Sequence, residues 1–290
     1  MIAALIYLSA YAVIAGFASF IEIPVGRGYT AFQLNGLIRI GGLAAALLAL
    51  FAAHGLAVPM TSASLAGVAI GVIAGVGSIC YCFAVSYMPI STVSTLSNLY
   101  LVVTTVLGIA VLGESVTALK ITGIAATVAG ALLLDAAPAR FGVHSGAGAK
   151  RVSARPLVIM GAYIVIVGVS AFLEKPVLRY LDPTELNALL ALGMTAVAVI
   201  ALSLRGPGLP MRLRTVLPSV VGAMIGLASV LYFLALRGLP VSVASALSNA
   251  SVLITVALST WFLGQRLTKQ RGLAIGLTIL GVSLLTISVA

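Results

Sequence analysis

The chain is short of charge, and of acid above all. Its 290 residues include 6 Asp and Glu, 2 His, 2 Cys and 1 Trp, and charged residues make up 8% of the total. A water-soluble domain carries about a quarter of its residues as charged side chains, so a soluble chain of this length is excluded. Two cysteines, Cys80 and Cys82, both inside an apolar stretch, exclude a disulfide scaffold. Residues two apart on a helix point to different sides, so this pair reads as core thiols and not as a soft-metal site. The histidines, His54 and His144, stand apart in loop sequence, and no phosphate-binding glycine loop with its lysine is present. These absences predict a protein that is not an enzyme, holds no cofactor or metal, and is not by itself a nucleotide-driven pump.

What is present is apolar sequence, 61% of the chain, with a mean hydropathy of +1.22. That composition predicts an all-α integral membrane protein with the lipid bilayer as its solvent. The 16 Lys and Arg crowd into short loops between apolar segments, which is membrane topology and not a nucleic-acid surface. Because about 20 apolar residues cross ~30 Å of hydrocarbon, about ten spans are predicted. They lie near 2–26, 31–53, 62–86, 90–112, 117–136, 156–178, 184–204, 215–236, 241–263 and 268–289. The opening MIAALIYLSAYAVIAGF has no basic n-region and reads as a retained first helix. Between the halves, APARFGVHSGAGAKRVSARP has no apolar periodicity, giving units at 1–136 and 156–290 with a linker at 137–155.

The two units are copies. Residues 89–131 recur at 240–282: Pro89, Ser91, Ser94, Leu96, Ser97 and Asn98 fall on Pro240, Ser242, Ser245, Leu247, Ser248 and Asn249. Earlier spans match too, with Tyr11, Gly16, Glu22, Pro24 and Asn35 on Tyr163, Gly168, Glu174, Pro176 and Asn187, and Gly71, Gly75 and Tyr81 on Gly222, Gly226 and Tyr232. An odd number of spans per copy makes the second copy enter the membrane from the opposite side. Ten transmembrane helices as two inverted five-helix repeats are therefore expected, an architecture of secondary transporters working by alternating access.

The serine- and asparagine-containing starts of the fourth and ninth spans, the turns LGESVT and LGQRLT, and Arg39 early in the second span resemble the EamA-type members of the drug/metabolite transporter superfamily. Where the family turn usually reads like LGERLT, the first copy keeps its acid as Glu114 without the arginine, and the second keeps Arg266 but has Gln265. The resemblance implies two EamA-like five-helix repeats and a cavity lined by the third, fourth, eighth and ninth spans. There the chain offers Tyr81, Ser94, Ser97, Asn98, Tyr100, Tyr232, Ser245, Ser248, Asn249 and Ser251. For Asn98 and Asn249, cavity lining and interhelical hydrogen bonding remain open alternatives.

Ionisable groups inside spans are costly and point to function. Glu22 and Arg39 stand at similar depth, so an ion pair between them is one expectation. Glu174 repeats Glu22, but Ala191 stands where Arg39 would recur, leaving Glu174 without that partner. Its neighbour Lys175 can snorkel to the interface, and Arg179 is poorly spaced for a helical pair. Glu174 can carry a proton or bind a cation, or it can be a solvated acid at the helix end. Glu22, Arg39 and Glu174 together read as gate or coupling residues.

The expected function is export of a small metabolite such as an amino acid, with protons as a candidate coupling ion and a monomer sufficient. One alternative is transport of cationic or quaternary-ammonium compounds; another is a lipid-linked-sugar flippase or a non-transporting membrane subunit. The resemblance implies a multi-pass protein of the bacterial inner membrane. Basic residues concentrate after the odd-numbered spans, which puts the termini outside by the positive-inside rule, whereas the resemblance commonly implies termini inside.

Overall fold

The structure, a computed structural model, describes residues 2–26, 28–55, 58–88, 93, 96–136, 154–205, 216–262 and 269–288. The side chains at 131, 134–136, 205 and 271 lie outside that description, as do Ser94, the turn holding Gln265 and Arg266, and nearly all of the linker. Much of the basic tally bearing on orientation falls outside it as well.

Among the described residues the chain is helical and contains no strand. In hydrocarbon each backbone polar group must be paired within the protein, and a helix does so within one segment. The first unit contributes α1 (Ile2–Val25), α2 (Ala31–His54), α3 (Ser62–Tyr87), α4 (Tyr100–Leu112) and α5 (Ala118–Ala136). The second contributes α6 (Ala154–Val177), α7 (Pro183–Arg205), α8 (Val216–Gly238), α9 (Val241–Ser248), α10 (Ala250–Phe262) and α11 (Lys269–Ser288). Seven segments are long and apolar enough to cross a membrane: α1, α2, α3, α6, α7, α8 and the run Val241–Phe262 that α9 and α10 form together. Shorter apolar helices at Tyr100–Leu112, Ala118–Gly130 and Gly272–Ser288 accompany them.

Local sequence sets the ends of these helices. Thr30 caps α2, its hydroxyl accepting from Gln33 N–H at 3.2 Å while the Gln33 side chain accepts from Thr30 N–H at 3.1 Å. At the equivalent place before α7, Glu185 accepts from Asp182 N–H at 2.8 Å. Pro24 and Pro176 occupy the penultimate positions of α1 and α6, where a missing N–H and the ring clash stop a helix from continuing. After α4, Gly113 adopts φ 66°, the left-handed conformation that only glycine takes without strain.

The main contacts join one unit to the other: α5 with α11, α2 with α7 and α8, α3 with α6 and α7, α1 with α8 and α10, and α4 with α6. Lipid offers no hydrophobic drive for these pairings, so close approach of small residues carries them. Across α2 and α8, a methyl added to Gly41 would stand 2.6 Å from the Ser219 carbonyl carbon, and one added to Gly222 would stand 2.7 Å from that of Ile38. The equivalent seam between α3 and α7 is just as tight, with Gly193 against the Val68 carbonyl and Gly71 against the Leu190 backbone. Hydrogen bonds recur in the same pattern. Thr104 donates to the Gly168 carbonyl at 3.1 Å, and Thr255 donates to the Gly16 carbonyl at 2.9 Å.

One element breaks in the interior. Between α9 and α10 the chain turns at Asn249, where N–H bonds reach back three residues, from Asn249 to Ala246 at 3.3 Å and from Val252 to Asn249 at 3.0 Å. The equivalent place before α4 has the same three-residue pattern, from Leu99 to Leu96 at 3.1 Å and from Leu101 to Asn98 at 3.2 Å. The predicted ninth span at 241–263 is thus two helices in series. Helix α9 is buried along its whole length and sits in the main apolar core with Leu101, Phe233, Leu236 and Leu285.

Candidate functional site

A cavity of about 260 Å³ lies between the two units. Its wall takes Tyr11 from α1, Ile38, Arg39 and Gly42 from α2, Ala74 from α3 and Tyr100 from α4. From the second unit come Ala171 and Glu174 on α6, Asn187, Ala191 and Met194 on α7, Ser229 and Tyr232 on α8, and Ser248 on α9. The close seam between α2 and α8 brings these walls together, since Gly42 and Gly222 line the cavity themselves.

The tyrosines are held by ring packing and by hydroxyl bonds. Tyr11 and Tyr232 meet at 5.5 Å between centroids, and Tyr232 also meets Phe233 edge-on at 5.5 Å. The Tyr232 hydroxyl pairs with that of Ser245 at 3.3 Å, and the Tyr100 hydroxyl is hydrogen-bonded to Ser248. Asn187 spends its amide on the Gly226 carbonyl at 2.9 Å, which leaves its side-chain oxygen free to accept.

Two charged side chains share this wall, and among the described residues neither forms a salt bridge. Among the described residues no carboxylate comes within 4 Å of the Arg39 guanidinium. Arg39 and Glu22 feel each other's charge, yet they do not form the ion pair that their depth allows. The guanidinium instead turns toward α7, with one terminal nitrogen 3.7 Å from the Met194 sulfur and its Nε buried without a hydrogen bond. Glu174 likewise has no basic partner within ion-pair distance among the described residues. Ala191 lines the cavity where a second arginine would have stood. Lys175 donates to the carbonyls of Leu236, Arg237 and Leu239 at and just after the end of α8, and Arg179 is exposed.

Of the ten predicted cavity residues, Tyr100, Tyr232 and Ser248 line this cavity. Arg39 and Glu174, expected at a gate, line it too. Ser245 stands behind Tyr232, and Ser251 lies where α10 approaches α1 at Gly16. Asn98 occupies the turn before α4. Asn249 sits at the α9–α10 break, 8% exposed, its amide nitrogen buried without a partner. Tyr81 packs on Tyr163 at 5.6 Å, against an apolar cluster of Ala84, Met88, Val93 and Met160, and Ser97 is hydrogen-bonded to Tyr163. Glu22 is half-buried in the last turns of α1, off the cavity wall.

Tyr11, Asn187, Met194 and Ser229 were not singled out as site residues. For Tyr11 and Asn187 a signal existed, since each is a polar residue kept in both copies inside an apolar span. No metal-ligand group of three or more His, Cys, Asp or Glu occurs among the described residues.

The EamA-like transporter family model matches residues 1–134 and 156–287. The chain belongs to the EamA-like transporter family. A crystal structure superposes on this EamA-family chain with a TM-score of 0.80, covering 99% of it and 98% of the other chain at 18% identity, a likeness that establishes the fold alone. No curated protein matches the chain. The family, the all-helical fold and the long apolar segments make this a multi-pass membrane transporter.

Proposed function

We propose that this protein is a secondary transporter of ten crossings, built as two inverted repeats, that carries a small zwitterionic metabolite of the amino-acid type through the cavity between them. One observation carries the reading: repeat-equivalent residues occupy different environments. Tyr11, Tyr232 and Glu174 line the cavity, whereas Tyr163, Tyr81 and Glu22 lie off its wall, with the two tyrosines packed against an apolar core. Two halves of like sequence in unlike packing can exchange arrangements at little cost in energy. That exchange closes this cavity and opens its counterpart toward the other face.

The charges on the wall support the substrate class. A guanidinium with unused donors suits a carboxylate, which it can hold through two parallel hydrogen bonds. A carboxylate beside three tyrosines suits an ammonium group, through charge pairing and ring-face attraction. A zwitterion satisfies both without bringing uncompensated charge into the membrane, where a buried unpaired ion is costly. Outward movement and residence in a bacterial inner membrane are taken over from the family resemblance.

Counterflow in proteoliposomes tests this. A panel of radiolabelled amino acids is offered with competitors in which the amine is acylated or the carboxylate amidated. At least one zwitterion should exchange, and each blocked derivative should compete at least tenfold less well. Equal competition by derivatives lacking either charge would refute the zwitterion reading. A second reading, transport of quaternary-ammonium cations, is favoured by Glu174 standing with Tyr11, Tyr100 and Tyr232; under it exchange survives Arg39→Met and is lost in Glu174→Gln.

A further inference from the structure

Three polar grips converge on the turn between α8 and α9. The Glu114 carboxylate, just after α4, accepts from Val241 N–H and the Ser242 hydroxyl at the start of α9, and from Lys120 Nζ at 2.9 Å. This ion pair is buried, its side chains 8% and 4% exposed. Lys175 holds carbonyls at the end of α8 and just beyond it, Leu239 at 2.8 Å among them. Arg237 reaches the Leu181 carbonyl at 3.0 Å and the Asp182 carboxylate at 2.8 Å, tying the same turn to the start of α7. An acid at a helix N-terminus and a base at a helix C-terminus each complement the backbone dipole, so every end of this turn is fastened with the favourable sign.

The repeat shows what this fastening is not. In the same register that aligns the two copies, Gln265 stands for Glu114, Arg271 for Lys120, Ile23 for Lys175, Ser86 for Arg237 and Thr30 for Asp182. Of these five only Arg271 carries charge, and the acid that would pair with it is replaced by an amide. An exchange of arrangements between the halves therefore cannot rebuild either ion pair on the opposite face. The carboxylate-based fastening belongs to one face only, and it biases the equilibrium between two otherwise similar states.

We infer that Glu114 is a gating residue: its buried pair with Lys120 and its grip on the start of α9 latch one face of the transporter shut, so the empty protein rests with that face closed. The inference rests on the alternating-access reading above. Opening this face requires Glu114 to release Val241 and Ser242, which leaves a charge that must be rehydrated before the turn moves. Taking away either charge leaves the other buried and unpaired, which weakens the closed state more than loss of an exposed pair would.

Thiol labelling in membrane vesicles of known sidedness tests this with the full chain in a C80A/C82A background. Ala171→Cys reports on the cavity, and Tyr180→Cys, 79% exposed in the turn beside Asp182, marks the latched face. A charged membrane-impermeant methanethiosulfonate reagent should modify A171C from the latched face at least tenfold faster when E114Q is added, with no gain from the opposite face. K120M should act in the same direction, and S242A, which removes one hydrogen bond and keeps the ion pair, should give a smaller gain of a few-fold. Unchanged rates from the latched face, with A171C still reacting from the other, would overturn the latch and leave alternating access standing. Equal gains from both faces would mean a loosened fold and would also overturn it. Reaction from neither face in any variant would overturn both readings.

Discussion

Adding one methyl group at Gly222 should separate the two halves at the wall of the cavity. A Cβ at this position would lie 2.7 Å from the Ile38 carbonyl carbon and 2.8 Å from its Cα, where ordinary contact begins at 3.4 Å. The Ile38 carbonyl oxygen lies nearer still, so helices α2 and α8 must part by more than the roughly 0.7 Å that the two carbon contacts alone require, because the obstacle is backbone and has no rotamer to adopt. Overpacking of a close interface costs about 1–3 kcal/mol, and a backbone obstacle puts Gly222→Ala at the upper end of that range. Gly161→Ala is the control, since nothing lies within 4 Å of its added methyl on α6. There the exchange should stabilise by up to about 0.5–1 kcal/mol through helix propensity. At roughly 2–4 °C per kcal/mol for a chain of this size, G222A should lower the apparent unfolding midpoint in detergent by roughly 5–10 °C, while G161A holds or raises it. Size-exclusion chromatography after heating, with matched scan rates, reads both. A G222A midpoint within about 2 °C of the wild type, or equal losses in the two variants, would refute the claim that glycine contact joins the halves.

Other expectations follow from particular contacts. Arg39→Lys keeps the charge but loses the planar fork, so it should raise the KM for a carboxylate-bearing substrate by about tenfold, whereas Arg39→Met should abolish its exchange in the counterflow assay. Thr104→Ala and Thr255→Ala each remove one equivalent interhelical bond, and each should cost about 0.6 kcal/mol, seen as small and similar shifts in thermal midpoint. Tyr232→Phe should raise the KM measured from one face of sided vesicles and Tyr81→Phe the KM from the opposite face. An effect of both from the same face would contradict an exchange of environments between the halves.

The medium, the helical class and the duplication were legible in the chain because each rests on composition or register, which packing does not alter. The missing partner of Glu174 was legible too, since Ala191 replaces the arginine of the first copy. The fate of Arg39 was not. Similar depth made Glu22 a reasonable partner, yet the rotation of α2 against α7 and α8, set by glycine contacts between the units, aims the guanidinium at Met194 and the cavity. Lys175 was equally opaque, because the carbonyls it binds belong to a helix far along the sequence.

By itself the sequence determined that this is a membrane protein of helices written twice, for a scarcity of charge and a repeated register admit little else. Only the tertiary structure decided which copy of each pair lines the cavity. Where the two copies agree, as at Tyr81 and Tyr232, their sequence carries no information about which one faces the cavity; that difference exists only in how the halves pack. The close approach of glycine-bearing helices, the break at Asn249 and the Glu114 grip place Glu174 and Tyr232 on the wall while Tyr81 stays in the core.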